Sequence, residues 1–301
     1  ILVAGGAGYI GSHMVKQLAK AGNDVTTLDN LSYGYRDAVK YGEFVEGDLG
    51  DDSILDAIFA AGDIDAVMHF AAATYVGESV ENPDFHYGNN IEGTRSLLNA
   101  MRAAAVQKLV FSSTCATYGM TERDFMDENT PQDPFSPYAR SKLTVEWMIR
   151  DFAHAYGMGF TLLRYFNASG ADPSGEFGEY HDPETHIIPL VLETALGKRE
   201  IIKVFGTDYP TPDGTCIRDY VHVCDLVDAH ILGLKWLEEG KGSRVFNLGT
   251  GSGFSVKEVL SHSRAVTNTE VPHVIGERRA GDCTKLVSGS VRAGHELGWE
   301  P

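Results

Sequence analysis

The chain has 301 residues, 43% of them hydrophobic and 22% charged, which is typical of a globular protein with one large domain or two. Its formal net charge of −17 argues against nucleic acid or an anionic membrane surface as the main partner. No apolar run approaches the ~18 residues that a membrane-spanning helix needs, so we predict neither kind of partner.

The four cysteines give no sign of a disulfide framework or a metal site. They are Cys115, Cys216, Cys224 and Cys283, and no two of them form a Cys-x-x-Cys pair. No His/Cys cluster has the spacing of zinc ligands, so we predict no bound metal. Free thiols are expected in a reducing compartment, and we therefore predict a cytoplasmic protein.

The first thirty residues have the pattern of a nucleotide-binding β-α-β unit. A strand is predicted at 1–4, followed by Gly5, Gly8 and Gly11, a helix at 14–22, a strand at 25–28 and then Asp29. The glycines let the backbone approach a pyrophosphate, and the start of the helix offers free N–H groups. The acid can accept hydrogen bonds from both ribose hydroxyls and repel a 2′-phosphate. We therefore predict NAD, rather than NADP, as the cofactor.

Strands and helices continue to alternate beyond this unit. Further strands are predicted at 44–49, 66–72 and 108–114, and helices at 53–61, 89–105 and 136–155. Such alternation indicates an α/β fold, a doubly wound parallel Rossmann sheet with ligands at the carboxyl ends of its strands.

The second half is less regular and richer in Gly and Pro. The chain is expected to return to the sheet near 218–223 and again near 246–249. We predict a NAD-binding domain at 1–166, joined by roughly 216–235, and a smaller interleaved α/β substrate domain at 167–301.

Tyr138 and Lys142 form a candidate proton-transfer pair. They are four residues apart within a predicted helix, so their side chains lie on the same face. A lysine held there can lower the pKa of a tyrosine from about 10 toward neutrality and make the phenol a usable proton acceptor. The strand that ends in Ser112, Ser113 and Thr114 reaches the same edge of the predicted sheet.

Motifs in a fixed order extend over nearly the whole chain. Examples are GGAGYIGSH at 5–13, FSSTCATYG at 111–119, SPYARSK at 136–142, NLGTG at 247–251 and ERRAGD at 277–282. With these motifs the chain resembles the extended short-chain dehydrogenase/reductase family, and within it the enzymes that interconvert UDP-galactose and UDP-glucose. The resemblance implies an NAD-dependent isomerase that epimerises C4 of a UDP-hexose through a transient 4-keto sugar.

The resemblance also implies a role for each matching residue. Tyr138 would be the acid/base, Lys142 its pKa partner and anchor to the nicotinamide ribose, and Thr114 the hydroxyl that orients the sugar O4. The NAD site would include, besides the pair, Gly5, Gly8, Tyr9, Ile10, Gly11, Asp29, Asn30, Asp48, Leu49, Phe70, Ala71, Ala72, Asn89, Ser112, Tyr165 and Phe166. The UDP-sugar would contact Thr114, Asn167, His186, Ile187, Phe205, Arg218, Arg279 and Asp282.

Several interpretations stay open at this stage. Arg218 could pair with Asp219 instead of a diphosphate, and Asp282 could orient Arg279 instead of touching the ligand. Thr74 stands where many relatives have a lysine near the cofactor, and His186 where many have an asparagine. Leu286 occupies the position that often controls room for an N-acetyl group. A leucine there does not decide whether the site accepts N-acetylated sugars.

Rival functions share much of this sequence pattern. A 4-epimerase of another UDP-sugar, such as UDP-xylose/UDP-arabinose or UDP-GalNAc/UDP-GlcNAc, is the nearest alternative. A nucleotide-sugar dehydratase would carry an acid pair after the catalytic threonine, where this chain has Cys115 and Ala116. A non-catalytic NAD-sensing protein would have no use for Thr114, Tyr138 and Lys142. The resemblance finally implies a homodimer that pairs the helices at 89–105 and 140–156.

Overall fold

The structure is a computed structural model that describes residues 1–121, 123–279 and 282–301. Ala280 and Gly281, within the ERRAGD motif, lie outside the described residues. The described helices are α1 (Tyr9–Lys20), α2 (Asp52–Ala61), α3 (Val76–Glu81), α4 (Pro83–Tyr87), α5 (Gly93–Ala103), α6 (Pro137–Tyr156), α7 (Ile187–Ala195), α8 (Val223–Glu238) and α9 (Val256–Thr267).

The strands follow the same chain order. They are β1 (Leu2–Ala4), β2 (Thr26–Asp29), β3 (Glu43–Glu46), β4 (Val67–His69), β5 (Lys108–Thr114), β6 (Gly159–Tyr165), β7 (Asn167–Ser169), β8 (Ile202–Phe205), β9 (Ile217–Arg218), β10 (Tyr220–His222), β11 (Arg244–Leu248), β12 (Phe254–Ser255), β13 (His273–Gly276) and β14 (Lys285–Leu286).

A seven-stranded parallel sheet forms the centre of the molecule. Its strand order is β3-β2-β1-β4-β5-β6-β11, so the winding direction reverses between β1 and β4. In open α/β sheets the ligand lies outside the carboxyl ends of the strands at such a reversal. The doubly wound parallel sheet expected from the alternating elements is thus present.

Helices cover both faces of this sheet. On one face α2, α5 and α6 pack through residues such as Leu55, Leu97 and Val145, which are at most 1% exposed. On the other face α1 and α8 pack through Met14 and Leu226. Full burial of one such side chain contributes about 1.5–3 kcal/mol to the free energy of unfolding. The helices packed on both faces therefore hold the strand ends in place.

The return of the chain to the sheet was predicted correctly at one place and wrongly at another. Residues 244–248 form β11, the edge strand beside β6. Residues 217–222 instead form β9 and β10, which pair outside the central sheet, β10 with β7 and β9 with β12 and β14. The reason is that β7 follows β6 directly and carries the chain beyond the carboxyl ends of the sheet's strands. β10 pairs with β7 there, outside the central sheet.

The helix predicted at 89–105 is also interrupted in the structure. α5 begins only at Gly93, and a π-helical turn over Gly88–Glu92 joins it to α4. Such turns often occur at functional sites, and this one carries Asn89 and Asn90.

A smaller layer is built from the second half of the chain. The parallel pair β8 and β13 packs with α7 and α9 around a separate core that includes Val191, Val204 and Leu260. No helix in the described part of the chain is both long and apolar enough to cross a membrane.

Candidate active site

Thr114, Tyr138 and Lys142 meet at the carboxyl edge of the central sheet. Ser136 begins α6 by accepting a hydrogen bond from the Ala139 N–H at 3.2 Å, and Pro137 occupies the first helical position. This places Tyr138 in the first turn of the helix, where it is 9% exposed. Thr114 ends β5 and lies within hydrogen-bonding reach of the Tyr138 phenol.

Lys142 is buried one turn further along α6. Its ammonium donates to the Ser112 carbonyl at 2.7 Å and lies 4.2 Å from the centre of the Phe111 ring. Burial lowers the pKa of Lys142 to about 7, and the negative charge of Glu146 opposes this shift. At neutral pH the ammonium is thus only partly protonated.

The expectation that Lys142 lowers the pKa of Tyr138 does not hold in this structure. Burial raises the Tyr138 pKa well above its ordinary value, and the neighbouring Tyr165 raises it further. Only the hydrogen bond with Thr114 acts in the opposite direction. The physical reason is that desolvation of a phenolate outweighs a partly protonated ammonium that is directed at a backbone carbonyl.

Ser112, Tyr165 and Cys115 surround the pair. Ser112 donates its hydroxyl to Tyr165 Oη at 3.1 Å, across the pairing of β5 and β6. Cys115 is buried against Tyr118 and Phe166, and burial raises the pKa of its thiol to about 12. A thiol with that pKa is a packing group and not a nucleophile.

The glycine loop before α1 has the space and shape of a phosphate cradle. Gly5 has a φ of +83°, and a Cβ on it would lie 2.4 Å from the Ala71 backbone nitrogen. A Cβ on Gly11 would lie 2.1 Å from the Gly5 carbonyl oxygen. By contrast, a Cβ on Gly8 would have only that oxygen near it, at 3.5 Å, so Gly8 faces open space. The free N–H groups of the first helical turn face the same end.

Asp29 and Asp48 lie at the ends of neighbouring strands beside this loop. Asp29 is 7% exposed and accepts hydrogen bonds from the Ala7 and Leu31 N–H groups, each at 2.9 Å. Asp48 accepts a hydrogen bond from the Asn30 amide at 2.6 Å. These contacts fix the carboxylates at the place where a ribose and an adenine are expected.

A groove joins most of the residues that the sequence assigned to NAD. It is lined by Gly5, Gly8, Asp29, Asn30, Asp48, Leu49, Phe70, Ala71, Ala72 and Asn89. The lining does not include Tyr9, Ile10, Gly11, Ser112, Tyr138, Lys142, Tyr165 or Phe166. Tyr9 instead donates its hydroxyl to the Gly170 carbonyl at 2.6 Å, and Ile10 packs against the core.

Some residues of this groove were missed in the sequence analysis. Ser32, Tyr33 and Gly34 line it because the loop after β2 folds back over Asp29. Their position directly after the strand-ending acid was a signal that could have identified them.

Asn90 was also missed, and it connects three parts of the site. Its amide accepts from the Ala73 N–H at 2.8 Å and donates to the Ala73 carbonyl at 3.0 Å and to Ser141 Oγ at 2.8 Å. Ser141 donates in turn to the Tyr138 carbonyl at 2.7 Å. Asn90 therefore fixes the loop after β4 against the helix that carries the tyrosine.

A second cavity, of about 410 Å³, lies between the central sheet and the smaller layer. Its lining includes Asn167, His186, Ile187, Phe205, Arg218, Arg279 and Asp282, all predicted substrate residues. Thr114, the remaining one, is not part of the lining. Four basic side chains, those of Arg199, Lys203, Arg218 and Arg279, line this cavity although the protein as a whole is acidic.

The contacts of Arg218 decide between its two possible partners, Asp219 and Asp282. Its guanidinium donates to the Ile217 and Cys283 carbonyls at 2.9 Å each and to Asp282 at 3.3 Å. Asp219 does not pair with it and instead accepts hydrogen bonds from Thr250, Gly251 and Ser288 N–H groups. Arg218 uses three of its five N–H donors in these contacts, so donors remain for an anion.

Phe205 and Arg279 form the other end of the cavity. The Arg279 guanidinium lies 4.0 Å from the centre of the Phe205 ring, so the two planar groups are held together. Lys203 and Phe205 both line the cavity from β8, and Tyr220 lines it from β10. The sequence analysis identified Phe205 and missed Lys203 and Tyr220, whose short strands lack a clear alternating pattern.

Leu286 lies outside the lining of the cavity. It packs against the cluster of Cys115, Tyr118, Met126 and Phe166. Because Cys115 follows Thr114 directly and β14 pairs Leu286 with Arg218 of β9, Leu286 lies between the proton-transfer residues and a basic residue of the cavity.

Comparisons with known proteins agree on one family. The sequence profile of the NAD dependent epimerase/dehydratase family matches residues 1–249. A UDP-glucose 4-epimerase from Halalkalibacterium halodurans is 50% identical over 301 residues, which cover 100% of this chain and 90% of that protein.

Solved structures give the same result. The UDP-glucose 4-epimerase from Brucella ovis in complex with NAD superposes with a TM-score of 0.97 at 49% identity, covering 99% of this chain and 92% of that one. The enzyme from Bifidobacterium longum in complex with NAD⁺ and UDP has a TM-score of 0.93 at 36% identity, with 99% and 92% covered.

Proposed function

Because the chain belongs to the NAD dependent epimerase/dehydratase family, we propose that it is an isomerase that interconverts UDP-galactose and UDP-glucose at C4. The observation that carries this proposal is the Thr114 hydroxyl within hydrogen-bonding reach of the Tyr138 phenol, in a chain whose groove and cavity gather most of the expected cofactor and substrate residues. The relatives at 46–50% identity over the full chain share this activity by name.

Tyr138 is the proton acceptor and donor in this proposal. As a phenolate it takes the proton of the sugar 4-hydroxyl, while the Thr114 hydroxyl orients the same sugar oxygen by a hydrogen bond. The 4-keto sugar then turns over within the pocket so that its other face receives the hydrogen at C4, and Tyr138 returns the proton to the same oxygen. One residue therefore serves as base and then as acid, and the net reaction is an isomerisation.

The groove fits NAD in three respects. Gly8 faces open space where a pyrophosphate can lie, and Ala71 and Ala72 are small enough to let a ligand approach closely. Asp29 can accept hydrogen bonds from a ribose. When bound, NAD would accept the hydrogen and electron pair that leave C4 and give them back to the opposite face of C4, and it would bring a positively charged ring. Lys142 anchors the nicotinamide ribose and adds its partial positive charge near the phenol.

Arg218 and Arg279 hold the diphosphate in the cavity, and the Phe205 ring offers a planar surface to the base. Anchoring by the diphosphate leaves the sugar free to present either face to Tyr138. We assign residues 1–166, together with α8 and β11, which belong to the central layers, to the cofactor-binding domain, and the remaining residues, including Arg218, to the substrate-binding domain.

The test is an assay without added cofactor. Purified protein is incubated with UDP-galactose, UDP-GalNAc and UDP-xylose in separate reactions, and the C4 epimers are separated by chromatography. We expect turnover of UDP-galactose with the cofactor that co-purifies with the protein. Tyr138→Phe should reduce kcat by about 10²–10⁴-fold, because it removes the acid/base group.

Tyr156→Phe is a matched control, since Tyr156 is exposed at the end of the same helix. It should leave kcat unchanged. Full activity of Tyr138→Phe would contradict the mechanism, and turnover of UDP-xylose alone would contradict the assignment of the sugar.

We also propose a homodimer that uses α5 and α6. Trp147 on the outer face of α6 is 57% exposed, and Val80 of α3, which packs against α6, is 64% exposed. Exposed large apolar side chains grouped on neighbouring helices are typical of a protein interface.

A further inference from the structure

Four side chains with metal-ligating atoms converge in the segment 179–186, which leads into α7. They are Glu179, His181, Glu184 and His186, and one ligand atom from each lies within 4.8 Å of all the others. The segment has the sequence pattern E-x-H-x-x-E-x-H and contains no cysteine, so a search for His/Cys spacing does not detect it.

The separations between these atoms are close to those in a four-coordinate site. His186 Nδ1 lies 2.9 Å from a Glu184 oxygen and 3.4 Å from a Glu179 oxygen. His181 Nδ1 lies 3.4 Å from the other Glu184 oxygen and 3.7 Å from the same Glu179 oxygen. A tetrahedral zinc ion bonded at about 2.0–2.1 Å to nitrogen and oxygen places its ligand atoms roughly 3.3 Å apart.

Glu179 is the member of the cluster that most needs a partner. Its side chain is only 7% exposed, and its carboxylate forms no hydrogen bond with any described residue. The two histidine nitrogens are its nearest polar neighbours, at distances beyond the usual N–H···O range of about 2.7–3.2 Å.

Glu184 and the two histidines are already oriented for coordination. One Glu184 oxygen accepts hydrogen bonds from the Thr185 and His186 N–H groups at 2.7 Å each, and these fix the carboxylate. The His181 ring lies between the aromatic rings of Tyr9 and Tyr75, with centroid distances of 6.1 Å and 6.5 Å. Such surrounding contacts hold ligands in place before an ion arrives.

We propose that Glu179, His181, Glu184 and His186 form a binding site for one zinc-class divalent cation. Two imidazoles and two carboxylates are the mixed nitrogen and oxygen donors that this class prefers, whereas magnesium and calcium prefer oxygen alone. Two carboxylates also balance the charge of a dication at this site, where three side chains are largely buried and His186 is 47% exposed.

The contacts of the cluster indicate a structural role for the ion. Glu179 and His186 line the substrate cavity, while His181 packs against Tyr9 at the start of the cofactor helix. A bound cation would therefore fix one wall of the cavity relative to the glycine loop.

The experiment measures metal binding directly and does not depend on activity. The purified full-length protein is treated with a chelator, dialysed and titrated with Zn²⁺, with the bound metal determined by elemental analysis. Co²⁺ serves as a second probe, since its visible absorption distinguishes four-coordinate from six-coordinate geometry. We expect one Zn²⁺ per chain, a four-coordinate Co²⁺ spectrum and a rise in Tm with Zn²⁺.

Variants separate this site from adventitious binding. His181→Ala and Glu179→Gln should weaken Zn²⁺ binding by at least about tenfold and abolish the rise in Tm. His262→Ala, at an exposed histidine on α9, should bind Zn²⁺ as the unmodified protein does. Sub-stoichiometric binding by the unmodified protein would overturn the proposal, and so would equal effects of the His181 and His262 substitutions. The Tyr138→Phe assay remains a separate test of the epimerase function.

Discussion

At the residue scale, burial opposes the chemistry that Tyr138 must perform. The phenol is enclosed, its pKa is raised, and the only favourable neighbour acting on it is the Thr114 hydroxyl. Lys142 adds little charge because its own pKa is lowered to about 7. The proton-transfer group therefore depends on hydrogen bonding with Thr114 and on positive charge brought by the ligands.

The first prediction at this scale concerns the Thr114 hydroxyl. Thr114→Ala should lower kcat about 10²-fold, because the Tyr138 phenolate and the sugar oxygen lose a hydrogen-bond donor. Thr114→Ser keeps the hydroxyl and should retain most of the activity. Steady-state kinetics of the two variants provide the measurement, and equal losses in both would indicate that the methyl group matters and not the hydroxyl.

The second prediction concerns the charge of Lys142. Below pH 7 the folded and unfolded chains both carry the proton, so the destabilising effect of burying this ammonium is fully present. Between pH 7 and about 10 the folded protein loses the proton first, and its stability rises relative to a variant without the amine.

Lys142→Met should therefore be most favourable to stability at pH 7 and below. Its free energy of unfolding relative to the unmodified protein should fall by about 1.4 kcal/mol for each pH unit from 7 to 9. Urea unfolding at several pH values measures this difference. A difference that stays constant over that range would contradict the lowered pKa.

At the element scale, the two faces of α6 differ in burial. Its inner face carries Tyr138, Lys142 and Val145, which are all buried, and its outer face carries the exposed Trp147. The cap at Ser136 and the left-handed Gly157 fix where the helix begins and ends, and so which residues lie on each face. A helix used on both faces can bind substrate and pair with a second subunit.

The prediction at this scale concerns the dimer. Trp147→Glu should convert a dimer into a monomer near 33 kDa, because a charge would be buried in an apolar interface. Val266→Glu, at a side chain 85% exposed on α9, should leave the mass unchanged. Light scattering after gel filtration measures both. An unmodified protein that elutes as a monomer would refute the interface.

At the scale of the whole molecule, a buried polar network joins α6 to three strands. Arg164 of β6 donates to Glu146 of α6 at 2.8 Å and 2.5 Å and to Tyr118 Oη at 2.9 Å. Ser113 of β5 donates to Glu146 at 2.6 Å, and Tyr118 donates to Asn247 of β11 at 2.6 Å. Every member is satisfied, so the network fixes the helix against the sheet.

Glu146→Gln should accordingly lower the free energy of unfolding by about 3–5 kcal/mol, because Arg164 would be left as a buried charge without its partner. Glu270→Gln removes half of an exposed pair with Arg264 and should change stability by less than about 0.5 kcal/mol. Denaturant unfolding of both variants is the measurement. Equal small effects would show that the network does not stabilise the protein.

Local signals in the sequence were sufficient for the doubly wound sheet, the glycine loop and the tyrosine-lysine helix. Apolar periodicity, glycine spacing and the Ser-Pro cap act over a few residues, so the order of residues alone determines them. The same signals led to the correct assignment of NAD as cofactor, which the family and the structures with bound NAD support.

Only the tertiary structure decided what depends on contacts between distant segments. Arg218 contacts Asp282 and not its neighbour Asp219, β10 pairs with β7 outside the central sheet, and Asn90 connects Ala73 to α6. The pKa of Tyr138 was also decided only by the tertiary structure, because the packing of the whole site sets how far its phenol is desolvated. The sequence determined which chemical groups are present, and packing determined which of them meet and how strongly each is charged.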